Sequence, residues 1–169
     1  MARSTWHALS VLIRISVGVA VATLFAGPAL SASGTINDNE LSLNGVSLGD
    51  SEDRVLSVLG EPQERFETGE GTEFRYTGIT VSIGWLEQQA PGKRRRVWAL
   101  RGTGAAACTP VGVCPGMALD RASAIYGVPV VAKRDYGTFV EYYSSDSSCW
   151  LQLDVPDGVI RAIAAVCQP

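Results

Sequence analysis

GVSLGDSEDRVLSVLGEP, residues 45 to 62, and GVCPGMALDRASAIYGVP, residues 112 to 129, are two copies of one segment, related by a shift of 67 with no gap. Seven positions keep their residue: Gly45/Gly112, Val46/Val113, Gly49/Gly116, Asp53/Asp120, Arg54/Arg121, Gly60/Gly127 and Pro62/Pro129. Four of these pairs are Gly or Pro, which constrain the backbone and carry no reactive group. The repetition therefore indicates a duplicated unit of fold and favours a binding module over an enzyme.

Each copy predicts one short helix followed by a run of strands. Asp50 or Ser51 caps the first helix and Gly60 ends it, while Gly127 ends the second. Alternating segments then predict strands at 63–68, 72–77, 79–86 and 96–101, and again at 130–136, 138–144, 149–155 and 159–166. We therefore predict an α+β fold, with two tandem helix-plus-four-strand antiparallel repeats forming one shared sheet and the helices on one face.

The chain divides into four predicted parts. Residues 1–32 are an export signal, 33–44 a polar, flexible lead-in, 45–107 the first repeat and 108–169 the second. Arg3 and Arg14 precede the apolar stretch from Ile15 to Ala26, and small residues precede a predicted cleavage after Ala32. An uncleaved anchor is the weaker interpretation, because the apolar run is short and interrupted by glycine and proline. We predict a periplasmic or secreted product without stable membrane insertion.

Charge excludes some classes of partner. The chain has 14 Lys and Arg against 17 Asp and Glu; without residues 1–32 the count is 12 against 17, a net charge of −5. Binding to nucleic acid or to an anionic membrane requires a basic surface, so neither is predicted as a partner.

Four cysteines in an exported chain of this size predict two disulfides, for which three pairings exist. We favour Cys108 with Cys114, which are close in sequence among turn residues, and Cys149 with Cys167. A hairpin turning at residues 156–158 places Cys149 opposite about residue 165, so that Cys167 is a diagonal neighbour within reach.

Catalytic chemistry is restricted mainly by the residues that are missing. The single histidine, His7, lies in the signal, so neither a Ser-His-Asp arrangement nor a histidine-ligated metal is expected in the mature chain. No phosphate-binding loop, dinucleotide-binding fingerprint or calcium loop is present. Carboxylate pairs, or Ser-Lys chemistry on Lys93 or Lys133, stay open, but no spacing singles them out. We predict no catalytic residue, no metal and no cofactor.

The residues that indicate a binding surface are aromatic. Strand alternation places Trp150 on the face of its strand that lies opposite the apolar face. In the other strand it places Trp98 and Leu100 on one face, and Val97 and Ala99 on the other. A shift of 67 aligns Tyr142 with the outward Arg75. We predict Trp98, Tyr142 and Trp150 as partner-binding residues on the open face of the sheet, since Trp and Tyr contribute strongly at interfaces. The alternative is that individual rings close the core.

The repeated pattern resembles that of the BamE/SmpA outer-membrane lipoproteins and of the secreted β-lactamase inhibitory proteins. The residues that carry the resemblance are Gly49-Asp50-Ser51, Val55, Leu59-Gly60-Glu61-Pro62 and Tyr76, then Gly116-Met117-Ala118, Ala122, Tyr126-Gly127-Val128-Pro129 and Tyr143. Two tandem units look most like the inhibitor architecture, which implies one sheet whose aromatic face holds a protein. Because the first cysteine is Cys108, no lipid-acceptor cysteine follows the signal directly, and two repeats are present, so a lipoprotein role in barrel assembly is not expected.

These observations predict an exported, non-catalytic module that binds another protein, namely an enzyme, a toxin or an envelope component. It would act as an inhibitor, an immunity protein or an envelope accessory factor. The alternative is a small-ligand or peptidoglycan-binding protein, with a carboxylate-based hydrolase as a remoter version and a purely structural envelope protein as a third possibility.

Overall fold

The computed structural model describes residues 34–84 and 95–167, in which the chain forms two α-helices and eleven strands. The helices are α1 (Glu52–Leu59) and α2 (Leu119–Tyr126). The strands are β1 (Thr35–Ile36), β2 (Ser42–Leu43), β3 (Val46–Ser47), β4 (Glu64–Thr68), β5 (Gly71–Tyr76), β6 (Ile79–Gly84), β7 (Arg96–Gly102), β8 (Val130–Arg134), β9 (Gly137–Ser144), β10 (Cys149–Asp154) and β11 (Ala162–Cys167).

Nine of these strands form one mixed sheet, in the order β1-β9-β10-β11-β7-β6-β5-β4, with β8 also paired to β9. Only β1 pairs in parallel among the described strands. β4 forms one edge of the sheet, whereas β1 and β8 share the other edge along β9. Strands β2 and β3 form a separate two-stranded ribbon.

The predicted α+β class, with two helix-plus-four-strand repeats, is wrong. The described chain is mostly β: each α-helix has only eight residues, and the large mixed sheet dominates the architecture. A sequence repeat predicts only what its copies share, whereas β1 and β2 precede the repeated pattern. The parallel pairing of β1 makes the sheet mixed, and the short helices leave the described chain mostly β.

Residues 34 to 43 are folded and do not form the flexible lead-in predicted from their polar composition. β1 pairs with β9, and the side chains of Leu41 and Leu43 are buried. The Asn44 N–H donates to the Cys108 carbonyl at 3.0 Å. Two leucines at alternate positions bury one face of this segment. An alternation of only two apolar residues among polar neighbours is too short to predict a strand.

The helix ends follow the local chemistry of the sequence. The Ser51 hydroxyl accepts a hydrogen bond from the Arg54 N–H at 3.2 Å, which confirms Ser51 as the cap of α1. Gly60 and Gly127 end the two helices with φ of 76° and 85°, a conformation that favours glycine. The Ala118 side chain offers no cap to α2, so this helix begins without side-chain support.

A single core lies against one face of the sheet. The large core side chains of each strand come mostly from alternate positions. The residues between them point to the opposite face of the sheet, which we call the outer face. The core residues include Val55, Phe74, Val81, Leu100, Ala122, Tyr126, Tyr142, Leu151, Leu153 and Ile163. Both helices thus contribute to the same core as the central strands.

Both favoured disulfides, Cys108–Cys114 and Cys149–Cys167, are confirmed. Cys149 and Cys167 are direct cross-strand partners with Cα atoms 3.9 Å apart, not the diagonal neighbours expected. The hairpin pairs Asp154 with Ala162 and so has a longer loop than the predicted turn. Two structural disulfides are typical of proteins that fold outside the reducing cytoplasm.

We expect removal of the Cys149–Cys167 bridge by a double alanine substitution to lower the free energy of unfolding by about 3 kcal/mol, against about 2 kcal/mol for the Cys108–Cys114 pair. The order follows from loop length, since the bridges span 18 and 6 residues. Urea denaturation of both double variants measures the difference. If removal of the longer bridge left the free energy of unfolding nearly unchanged, the bridge would not act by restricting the unfolded chain.

Candidate partner-binding face

One row of directly paired residues crosses seven strands on the outer face. From β9 to β4 the row consists of Tyr143, Trp150, Val166, Ala99, Ser82, Glu73 and Phe66. We call this set the outer row. Six strand spacings give it a length of about 29 Å. Small side chains occupy its centre, and aromatic side chains lie at both ends.

Trp98 joins the outer row through a β-bulge in β7. Ser82 pairs with Ala99 and Ile83 pairs with Val97, so Trp98 is the extra residue between the two pairs. Trp98 therefore lies on the outer face as predicted, although simple alternation placed Leu100 there as well. Leu100 is in the core, and Ala99 takes the outer position.

Glycine makes room for the Trp98 indole. A Cβ added at Gly84 would lie 3.1 Å from the indole Nε1 atom and 2.3 Å from the Glu70 carbonyl oxygen. The bulge and this glycine together hold the ring against the end of β6. Trp98 and Trp150 are separated by two strand spacings, about 10 Å, with Val166 between them.

Tyr142 is a core residue, which corrects its predicted place on the partner-binding face. It is 0% exposed, pairs with Leu151 and contacts the Tyr126 ring at 5.1 Å between centroids. The error lies in the alignment of the two copies. The hairpin pair Thr68↔Gly71 matches Arg134↔Gly137, a shift of 66 and not 67.

One residue fewer between helix and hairpin reverses the face of every later side chain. Tyr142 thus corresponds to Tyr76, not to Arg75. The two tyrosines make the same contact, because the Tyr76 hydroxyl donates to the Gly60 carbonyl at 3.1 Å and that of Tyr142 to the Gly127 carbonyl at 3.4 Å. Each ties a strand to the glycine that ends the preceding helix.

Tyr143 occupies the outward position that was assigned to Tyr142. It pairs with Trp150 across the strands, and the two ring centroids are 6.1 Å apart. Aligning the two hairpin turns, instead of extending the helix alignment, would have identified it. The outer face therefore carries Trp98, Tyr143 and Trp150.

An ion pair between the buried Glu141 and the partly exposed Arg134 lies beside Trp150, and no pattern in the sequence indicates it. Glu141 is 0% exposed and accepts hydrogen bonds from Arg134 Nε at 2.9 Å and Nη2 at 2.5 Å. The same carboxylate accepts from the Tyr143 hydroxyl at 2.5 Å and from Gln152 Nε2 at 2.9 Å. The Arg134 guanidinium lies over the Trp150 ring, 5.1 Å from its centroid.

These contacts determine the protonation of the cluster. Burial by itself would raise the pKa of Glu141, but the hydrogen bonds and the positive charge of Arg134 outweigh burial and lower that pKa below its usual value. The hydrogen bond to Glu141, followed by burial, raises the pKa of Tyr143. Glu141 is therefore ionised and Tyr143 protonated at neutral pH, so the donors and the acceptor are matched.

Two cavities with different lining residues flank the centre of the outer row. The Trp98 cavity, of about 300 Å³, is lined by Thr68, Gly69, Glu70, Thr72, Glu73, Ser82 and Trp98. The Trp150 cavity, of about 260 Å³, is lined by Arg134, Tyr143, Ser144, Ser147, Ser148 and Trp150. Each cavity thus places an indole beside charged or hydroxyl groups.

Several candidates from the sequence fall elsewhere. The signal, with His7, and Lys93 lie outside the described residues. Lys133 is an exposed residue of β8. Within the described ranges, no three His, Cys, Asp or Glu side chains lie together as metal ligands would. Over the same ranges, no helix has the length and apolar character to cross a membrane.

Comparison with known proteins leaves the family open. No protein-family model matches the chain, and no curated protein matches its sequence. An extracellular protein containing an SCP domain from Bacillus anthracis has a solved structure that matches 74% of this chain, with 12% identity and a TM-score of 0.43. The match spans 45% of that protein's chain. Likeness at this level carries no functional conclusion.

Proposed function

We propose that this protein is an exported, periplasmic or secreted, non-catalytic module that binds another protein on its outer row. The observation that carries the proposal is the convergence of Trp98, Tyr143, Trp150 and Arg134 on one sheet face. Trp, Tyr and Arg are the residue types that dominate binding energy at protein interfaces. The partner is an enzyme, a toxin or an envelope component, and the role is inhibition, immunity or assistance in the envelope.

The buried Glu141 supports this proposal through preorganisation. Its hydrogen bonds hold Arg134 and Tyr143 in place, and both flank the Trp150 ring. Anchors that are already ordered lose less conformational freedom on binding, so more of the contact energy is available as affinity.

One observation favours a second candidate, a small-ligand or peptidoglycan-binding protein. The Trp150 cavity sets Ser144, Ser147 and Ser148 beside two aromatic rings. Hydroxyl groups next to apolar rings suit a polar ligand with an apolar face, such as a sugar.

We expect the double substitution Trp98→Ala and Trp150→Ala to lower affinity for the protein partner by about 100-fold or more, since interface tryptophans often contribute 2 kcal/mol or more each. The measurement is co-precipitation with the tagged protein from envelope extract, in parallel with sedimentation on insoluble peptidoglycan. Tyr136→Ala is the matched control, because Tyr136 is 71% exposed and lies outside the outer row.

Thermal unfolding of both variants keeps the comparison valid. Undiminished capture by a folded double variant would exclude the outer row as the binding surface. Retention on peptidoglycan that depends on the tryptophans, without a protein partner, would favour the second candidate.

A further inference from the structure

The Trp98 cavity has the chemistry of a site for one positively charged side chain. Its walls combine the Trp98 indole, the Ser82 hydroxyl and the carboxylates of Glu70 and Glu73. No Lys or Arg is among the described residues that line it. The opposite cavity carries Arg134, whose charge is matched by the buried Glu141, so only the Trp98 cavity has carboxylates in its lining.

Two arginines already bind residues of the cavity lining. Arg75 donates to Glu73 at 3.0 Å, and its guanidinium lies over the Phe66 ring, 4.9 Å from the centroid, toward β4. Arg95 donates to the Thr72 hydroxyl and lies 3.9 Å from a Glu52 carboxylate oxygen. Arg75 offsets the charge of Glu73, so Glu70 and the Trp98 ring provide most of the attraction for a further cation.

The geometry points to a partner that inserts an arginine or lysine side chain into the Trp98 cavity. A guanidinium stacked on an indole gains a cation–π contact, and carboxylates at its edge form charge-assisted hydrogen bonds. Residues 33 to 169 carry 12 Lys and Arg against 17 Asp and Glu, which favours a basic partner. This inference rests on the proposed function, since it specifies what the partner presents to the same face.

The test uses a small probe in place of the unidentified partner. Nα-acetyl-L-arginine methylamide is titrated into the folded protein while the Trp98 indole N–H resonance, assigned by its loss in Trp98→Phe, is followed by NMR. We expect a saturable shift with a dissociation constant on the order of millimolar. The citrulline analogue has nearly the same shape but no charge, and it should produce no saturation.

Variants test the role of the cavity carboxylates. Glu70→Gln with Glu73→Gln should weaken arginine binding by about tenfold or more, since each charge-assisted hydrogen bond contributes strongly. Glu70→Gln alone, in the exposed turn between β4 and β5, should weaken it by about threefold and tests the idea even if the double variant unfolds. Tyr136→Ala, outside the outer row, should leave the dissociation constant for the arginine probe unchanged.

Equal binding of the citrulline analogue, or binding that is insensitive to Glu70→Gln, would overturn the inference. Neither result would affect the proposed function, which depends on partner capture and its loss in the double tryptophan variant. Conversely, capture that survives the tryptophan substitutions would exclude the proposed function even if the cavity binds arginine.

Discussion

Replacing Arg134 with methionine is expected to destabilise the protein at neutral pH by about 2 to 4 kcal/mol, because it leaves Glu141 buried without a cation. The carboxylate is 0% exposed, and the arginine supplies two of its four hydrogen bonds. Tyr143 and Gln152 still donate to it, and the Arg134 side chain is itself 32% exposed, which keeps the loss below that of a fully isolated charge. Urea denaturation at pH 7 measures the change.

The pH dependence of this variant provides a second signature. In the natural protein the pKa of Glu141 is lowered, so its stabilising contribution is present above the unfolded pKa of about 4.3 and is lost as pH falls through the folded value. Without Arg134, burial is the dominant effect, and the folded pKa should rise above the unfolded one. The cost of burying the ionised Glu141 in the variant is then fully present above that raised pKa and disappears on acidification. The difference in Tm between the natural protein and Arg134→Met should therefore narrow from pH 7 to pH 4.

Arg161→Met is a matched control. Arg161 and Asp154 are also seven residues apart, and Nε donates to the carboxylate at 2.8 Å, but the Arg161 side chain is 66% exposed. Exposed pairs contribute about 1 kcal/mol or less. If Arg134→Met lowers the free energy of unfolding as little as Arg161→Met does, and if that loss does not depend on pH, then Glu141 is not buried against Arg134.

Tyr142→Ala is expected to lower the free energy of unfolding by about 3 to 5 kcal/mol, as for other large aromatic side chains removed from a core. Tyr142→Phe should cost about 1 kcal/mol or less, because the hydroxyl makes only long hydrogen bonds, to the Gly127 carbonyl at 3.4 Å and with the Ser123 hydroxyl at 3.5 Å. Equilibrium unfolding of both variants distinguishes packing from hydrogen bonding.

The control for this prediction is Tyr136→Ala, which removes an exposed ring and should change stability by about 1 kcal/mol or less. Tyr142→Phe should also capture the partner as well as the natural protein does. A loss of capture with little loss of stability would return Tyr142 to the binding face and contradict the register of β9.

Both predictions concern residues whose roles could not be obtained from local pattern alone. Trp98 and Trp150 were placed outward by strand alternation, and the disulfides were paired from turn residues and hairpin length. Tyr142 was misplaced because one residue is missing between the second helix and its hairpin. Alternation has a period of two, so an error of one residue exchanges the core and the surface.

Glu141 and Arg134 give no signal in the sequence as a pair. They lie on adjacent strands and are joined by a hairpin whose register had to be known first. The mixed character of the sheet was missed for a related reason, because the short strand β1 pairs with β9, more than 100 residues away along the chain. Sequence reasoning has no access to such pairing.

The amino-acid sequence by itself determined the glycines that end the helices, the charge balance and the outward position of Trp150. These depend on residues close in the chain, where glycine, proline, capping side chains and alternation act directly on the backbone. The tertiary structure alone decided the mixed sheet, the bulge at Trp98, the burial of Tyr142 and the enclosure of Glu141. Each of these depends on the register between strands, which is set by the packing of the whole sheet and not by any single segment.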